Sequence, residues 1–217
     1  DVFVDTQRYA KKYVGNGLNC VNCHLEAGRK AGSAPLWAAY VAYPAFRDVS
    51  KQVNTFTERL DACFRYSMNG RMPPLDDEVI VALTAYSFWL ATGAPVGAHL
   101  SGRGFPEIPA SALPPDPARG KAVYAIHCAS CHGADGLGLK AGATYAMPPV
   151  WGRDSYNGGA GMVNVKTAAA FIKANMPFGQ GNTLTDQQAW DVAAFINAQP
   201  RPRDPRLRGT GKSAKAP

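Results

Sequence analysis

The sequence predicts an all-α chain of two similar small units joined by a linker rich in glycine and proline. Three observations lead there: apolar residues recur at helical spacing, convincing strand alternation is absent, and one order of features appears twice along the 217 residues. At roughly 150 residues per domain, the length admits one or two ordinary domains.

In the first half come Tyr9–Tyr13, then CVNCH at Cys20–His24, APLW at Ala34–Trp37, Met72–Pro73, and an apolar-periodic run from Val79 to Leu90. Within that run Val79, Ile80, Leu83, Tyr86 and Leu90 follow one helical face. Asp76, Asp77 and Glu78 precede it and put acids in the first turn, where the helix dipole favours them. The second half repeats the order with Val123–Ile126, CASCH at Cys128–His132, PPVW at Pro148–Trp151, Met176–Pro177 and Trp190 to Ile196. Thr185 reads as the cap of this last helix, with Gln188 three residues on to close a capping box. Between the halves, Gly93 to Pro117 holds Gly and Pro too densely for a helix or a central strand. The expected units are therefore 1–112, including the linker, and 113–199. Residues 200–217, PRPRDPRLRGTGKSAKAP, have Leu207 as their only large apolar side chain and read as an extended or disordered tail. Tyr40, Tyr43, Phe46, Phe88 and Trp89 are expected to pack in the core or around a cofactor.

Composition excludes several classes. The chain is 46% hydrophobic and 18% charged, too apolar to stay disordered. No apolar run reaches the ~18 residues of a membrane-spanning helix. The formal charge of +7 would suggest a nucleic-acid or membrane partner. Its distribution argues otherwise, because residues 1–112 and 113–199 each carry +1 and the tail carries +5. No basic stripe lies on a periodic helix, so nucleic-acid binding is not expected. Five cysteines are too few for a disulfide scaffold, and the odd count sets one sulfur apart.

Four of the five lie in the two CxxCH pentapeptides, the attachment site of c-type haem. Two thiols about one helical turn apart can each form a thioether to one vinyl group, while the adjacent imidazole reaches the iron. Cys20, Cys23 and His24 would hold one haem, and Cys128, Cys131 and His132 a second. A thioredoxin-like redox pair wants a βαβ setting that this chain lacks, and a zinc site would pool both pairs in one domain. Two covalently bound haems also account for the small size of each half, since a macrocycle supplies core that the residues alone do not. Such attachment belongs to the oxidising, exported side of a bacterial membrane. Asp1 is not an initiator Met, so the chain is expected to be periplasmic with its signal peptide already removed. Four propionates would offset the remaining +2 of the two halves.

The second protein ligand sets the potential of a haem iron. For the second haem, Met176 in NMPFG is the expected ligand, on a loop before the last helix, with Met147 and Met162 as packing residues. For the first, Met72 in GRMPP occupies the position equivalent to Met176, and Met68 is near. The fifth cysteine, Cys63 in ERLDACFRYSMNG, is also within plausible reach. A lone Cys is more often a buried small hydrophobe, yet a free thiol in an exported protein is liable to oxidation and needs a reason to be kept. The bare residues leave Cys63 and Met72 open.

Over nearly all of residues 5–200 the chain resembles the dihaem thiosulfate dehydrogenases that form tetrathionate. The resemblance rests on CVNCHLEAG, PLWAAYVAYPAFR, ERLDACFRYSMNG, GAPVGAHLSGRGFP, RGKAVYAIHCASCHGADG, AAAFIKANMPFGQG and LTDQQAWDVAAFINAQPRP. It implies His24 and Cys63 on the first haem, where substrate reacts, and His132 and Met176 on the second. Arg59 and Ser67, four residues either side of Cys63, match family residues lining the substrate pocket. The neighbour of Met176 is Asn175 and not Lys, which argues against the Lys/Met exchange seen in some members. The implied chemistry is 2 S2O3(2−) → S4O6(2−) + 2 e−, with electrons passing to the second haem and then to a soluble cytochrome or similar acceptor. Two dianions must meet, so the pocket needs positive charge: Arg59 first, then Arg47 and Arg71. Two other readings compete: a dihaem electron carrier without a substrate of its own, which predicts His24/Met72 ligation and an unliganded Cys63, and the same site run as a tetrathionate reductase.

Overall fold

A computed structural model describes residues 1–48 and 50–207. The chain is helix-dominated, as the periodicity predicts. In order it forms α1 (Thr6–Tyr9), α2 (Leu25–Gly28), α3 (Leu36–Val41), α4 (Phe56–Ala62), α5 (Glu78–Leu90), α6 (Pro117–His127), α7 (Ala129–His132), α8 (Val165–Asn175) and α9 (Asp186–Asn197). Two small antiparallel hairpins, β1 (Ala45–Arg47) with β2 (Gln52–Asn54) and β3 (Leu139–Ala141) with β4 (Thr144–Met147), were not signalled by the sequence. Strands of three or four residues are too short for alternation to register. Among the described residues no helix is long and apolar enough to cross a membrane.

The capping signals work as read. Asp77 accepts from Val79 N–H and starts α5, and Tyr13 and Lys12 both hold that carboxylate. Thr185 and Gln188 close a reciprocal box at α9, and Thr55 with Glu58 does the same at α4. In α5, Val79, Ile80 and Leu83 are buried and pack with Leu36, Phe56, Leu60 and Phe64 in an N-terminal core. Phe88 and Trp89, expected inside, are exposed, because they fall on the opposite face of α5; Phe46 is exposed on β1.

A second core gathers Val123, Tyr124, Trp151, Phe171, Ile172, Val192 and Ile196, and the linker residue Ile108 joins it. Its centre is the crossing of α6 and α9, close enough that a Cβ on Gly120 would stand 2.0 Å from the carbonyl oxygen of Asp191. Beside the crossing, Arg119 donates from Nε and Nη2 to the Asp191 carboxylate at 2.8 and 2.9 Å, and Asp116 N–H and Gln187 Nε2 complete the cage. A third, smaller cluster of Leu18, Met68, Tyr156 and Ala160 joins residues from both halves.

Of the tail expected to be extended or disordered, residues 200–207 run along the body and are tied to it. Pro200 and Pro202 carbonyls accept from Gly152 and Gly158, Arg201 lies 4.3 Å over the Tyr156 ring, and Arg206 lies 4.7 Å over Tyr66. A segment whose one large apolar side chain is Leu207 is held here by backbone bonds and cation–π contacts, which a burial argument does not anticipate. The rest of the expected tail, 208–217, lies outside the described residues.

Candidate functional site

The first CxxCH begins on a 3-10 turn, Cys20–Asn22, closed by reciprocal bonds between Asn19 and Asn22. Cys20 N–H donates to Thr6 Oγ1 at 3.1 Å, and the Thr6 hydroxyl lies 3.4 Å from Cys20 Sγ, so α1 fixes the turn. His24 Nδ1 is 2.6 Å from the Ala34 carbonyl. A carbonyl only accepts, so Nδ1 donates to it and Nε2 is left as the nitrogen available to a metal. In the second half His132 Nδ1 is 2.8 Å from the Pro148 carbonyl. Burial holds this imidazole below its ordinary pKa, against the opposing effect of that bond. Ala34 and Pro148 occupy the same place in APLW and PPVW, each just before a proline. The internal repeat is thus also a repeat of the bond that orients each histidine.

Cys20, His24 and Cys63 line one cavity of about 750 Å³, walled by Leu36, Phe56, Leu60 and Met68. The linker closes one side of it: Gly32 and Ala34 donate to the carbonyls of Gly102 and Gly104, both at 2.7 Å, which brings Arg103 and Phe105 to the wall. The sequence marked this stretch only as a spacer, since Gly and Pro density reports backbone freedom and not what the backbone lies against.

Cys63 ends α4 and opens a π turn, Cys63–Ser67, in which Met68 N–H reaches back five residues to the Cys63 carbonyl at 2.9 Å. Such wide turns often sit at functional sites. Arg59 Nη1 donates to Cys63 Sγ at 3.1 Å. Burial raises the Cys63 thiol pKa, but Arg59, a hydrogen bond with His24, and Arg47 together outweigh it and bring it down to about 7. The attachment cysteines behave oppositely: burial pushes Cys20 and Cys128 up to about 11 and Cys23 up to about 12. Arg47, whose Nη1 donates to the Tyr43 hydroxyl at 2.8 Å, adds positive charge to the same side.

The structure therefore brings together His24, Cys63 and Arg59, with Arg47 close by. It does not bring Ser67 onto the cavity wall, because the π turn advances the chain by an extra residue and presents Met68 instead. Arg71 is exposed, with its guanidinium 5.8 Å from the Tyr13 ring. Met72 lines a separate groove with Tyr40, Ile80 and Phe88.

In the second half, Cys128 and Met176 both pack against the C-terminal core. Met176 caps α8 with its N–H on the Ile172 carbonyl at 2.8 Å. Asn175 before it is buried and donates to Phe171 O at 3.1 Å and to Gly32 O at 3.2 Å. The Met176 loop is thereby tied to the wall of the first cavity. The sequence marked Asn175 only as a position that is not Lys and did not mark the Ala34 and Pro148 carbonyls, since no residue pattern reports a long-range side chain to backbone bond.

The paired CxxCH motifs with oriented histidines, on a helical fold, define a c-type cytochrome. Residues 115–196 match the family model described as cytochrome C oxidase, cbb3-type, subunit III. The chain is 59% identical over 206 residues to the thiosulfate dehydrogenase of Stutzerimonas stutzeri (strain A1501), covering 95% of this chain and 67% of the relative. It is 53% identical over 216 residues to that of Thiomonas intermedia (strain K12), covering 100% and 69%. A solved thiosulfate dehydrogenase (TsdBA) from Marichromatium purpuratum, in its "as isolated" form, matches with a TM-score of 0.90 at 48% identity, over 96% of this chain. The chain spans 46% of that protein's length. It belongs to the thiosulfate dehydrogenase family of oxidoreductases.

Proposed function

We propose that this chain couples two thiosulfates into tetrathionate at Cys63, as a periplasmic protein of two haem-bearing units, 1–112 and 113–199. The observation that carries the reading is the Arg59 Nη1 contact to Cys63 Sγ at 3.1 Å, in the cavity that also holds His24. An inert buried thiol would have its pKa raised, whereas this one is lowered to about 7.

Cys20 and Cys23 would hold the first haem by thioethers, with His24 Nε2 and Cys63 Sγ as the side-chain atoms offered to its iron. Cys128 and Cys131 would hold the second, with His132 Nε2 and Met176. The cavity fits such a group, since it pairs two thiols and an oriented imidazole with an apolar wall and falls within the size of cofactor sites. Haem would supply a one-electron acceptor in each unit, two in all for the electron pair of the reaction, with an external cytochrome as the final acceptor and Met176 giving the second unit the higher potential. Met72, in its separate groove, gives no support to a His24/Met72 carrier.

Arg59 and Arg47 offset the repulsion between two dianions and hold thiosulfate against Cys63. The Cys63 thiolate bonds to the outer sulfur of the first thiosulfate, giving a cysteinyl S–S–SO3(−) adduct and releasing two electrons. The outer sulfur of the second thiosulfate then attacks the adduct's middle sulfur. Tetrathionate leaves and the Cys63 thiolate is restored, so charge and atoms balance. Ser67 receives no role. Incubation of the haem-loaded protein with thiosulfate and an electron acceptor tests the reading: tetrathionate is the expected product, and a folded, fully loaded protein that forms none overturns it.

A further inference from the structure

Arg201 is a cation without an anionic partner among the described residues. Its Nη2 donates to the Ile196 carbonyl at 2.7 Å, and its guanidinium lies 4.3 Å from the Tyr156 ring centre. Nε and Nη1 are buried and have no partner among the described residues. The side chain is held in place, because Gly152 N–H donates to Pro200 O at 2.8 Å and Gly158 N–H to Pro202 O at 2.9 Å, on either side of it. The nearest acid in sequence, Asp204, is already engaged by Nε and Nη2 of Arg206. Ser155 Oγ, on the stretch stitched to this segment, is also buried without a partner. Arg201 Nε, Arg201 Nη1 and Ser155 Oγ are thus buried polar atoms without a partner among the described residues.

An arginine cannot shed its proton, and each unmet buried donor costs about 1–3 kcal/mol, so the missing group is an anionic acceptor. Its location limits the choice. Tyr156, beneath the guanidinium, packs with Met68, which lines the first cavity, and with Met162, which also packs on the C-terminal core beside Cys128 and Met176. Burial pushes the Tyr156 phenol up, Arg201 pulls it down, and the Cys23 thiol pushes it up again, so these groups are electrostatic neighbours. Arg201 thus stands at the junction of the two haem sites.

We propose that Arg201 is the counter-ion of a haem propionate carboxylate at this junction. The proposal rests on the two-haem reading above. Arg201 acts as a positioning residue: it fixes a propionate and, through its charge, favours the reduced form of that haem. It also gives the segment after α9 a purpose beyond ending the helix.

The test uses the full haem-loaded protein and the variants Arg201→Gln and Arg201→Lys. Pyridine haemochrome content is measured first, then both midpoint potentials by spectroelectrochemical titration, with the haems told apart by their EPR signals. Arg201→Gln should keep two haems and move one midpoint to lower potential, and Arg201→Lys should recover part of that shift. The haem that moves is the one whose propionate is held. Fewer than two haems in the wild type would remove the two-haem reading, and the proposal with it. Two haems with both midpoints unmoved in Arg201→Gln, even with a lower melting temperature, would remove the proposal alone and leave Arg201 as a cap on α9. If Arg201→Gln fails to assemble, the resonance Raman propionate-bending band of Arg201→Lys decides: a shifted band is expected, and an unshifted one overturns the assignment.

Discussion

Replacing Arg59 by Gln removes a cation in hydrogen-bond contact with Cys63 Sγ, at 3.1 Å, while keeping most of the side chain's bulk. Arg59 lies on the cavity wall, with its own charge stabilised first by Cys63 and then, against burial, by Tyr43. A hydrogen bond to a charged group contributes about 1.5–3 kcal/mol, and each 1.4 kcal/mol is tenfold in rate, so kcat/KM for thiosulfate should fall about 10- to 150-fold. Repulsion between the two dianions places the effect toward the upper end. The assay is steady-state thiosulfate oxidation with an artificial electron acceptor, normalised to haem content so that incomplete loading is not read as lost catalysis. Arg71→Gln is the control, because Arg71 is exposed and stacked toward Tyr13, and it should stay within about twofold. A fully loaded Arg59→Gln protein with unchanged kcat/KM would refute the electrostatic role assigned to this residue.

Asp191→Asn tests the α6–α9 junction: with a buried carboxylate that accepts from Arg119, Asp116 and Gln187 lost, stability should drop by about 1–3 kcal/mol, read as a lower Tm. Burial raises the Asp191 pKa, but the bond from Arg119 and those from Asp116 and Gln187 win and hold it below the usual carboxylate value. Its contribution is therefore complete above the unfolded value of about 4 and fades as pH falls through the folded one, so the gap between wild type and variant should close below about pH 4 in acid titrations followed by circular dichroism. Gly120→Ala should destabilise by about 1–3 kcal/mol or more in chemical denaturation despite a helix-propensity gain of about 1 kcal/mol, because the new Cβ meets the Asp191 carbonyl at 2.0 Å. Met176→Ala should abolish the Met-to-iron charge-transfer band in absorption spectra, whereas Met72→Ala, altering a residue of a separate groove, should leave it and the EPR spectrum intact.

Much of the site was legible in the sequence because covalent attachment and helix capping are local. CxxCH, the Thr185–Gln188 box and the acids before α5 each act within a few residues, so spacing alone reports them. The internal repeat went further, since it aligned Ala34 with Pro148, whose carbonyls orient the two histidines. What stayed hidden depends on where distant segments meet. Four-residue spacing placed both Arg59 and Ser67 on the face of Cys63, which holds for Arg59 on α4 but not for Ser67, beyond the π turn. The linker's contact with the first cavity, the Asn175 bond to Gly32 and the ordered stretch from Pro200 to Leu207 all rely on partners at least 40 residues away in sequence, and no periodicity encodes them.

The proposed reaction rests on Cys63, and low-temperature EPR with near-infrared spectroscopy of the wild type and Cys63→Ala reads its place most directly. The expected result is a thiolate-ligated low-spin signal in the wild type that disappears in Cys63→Ala while the His132/Met176 signal persists. A low-spin signal of that kind surviving the substitution unchanged would contradict the assignment of Cys63 to the first iron.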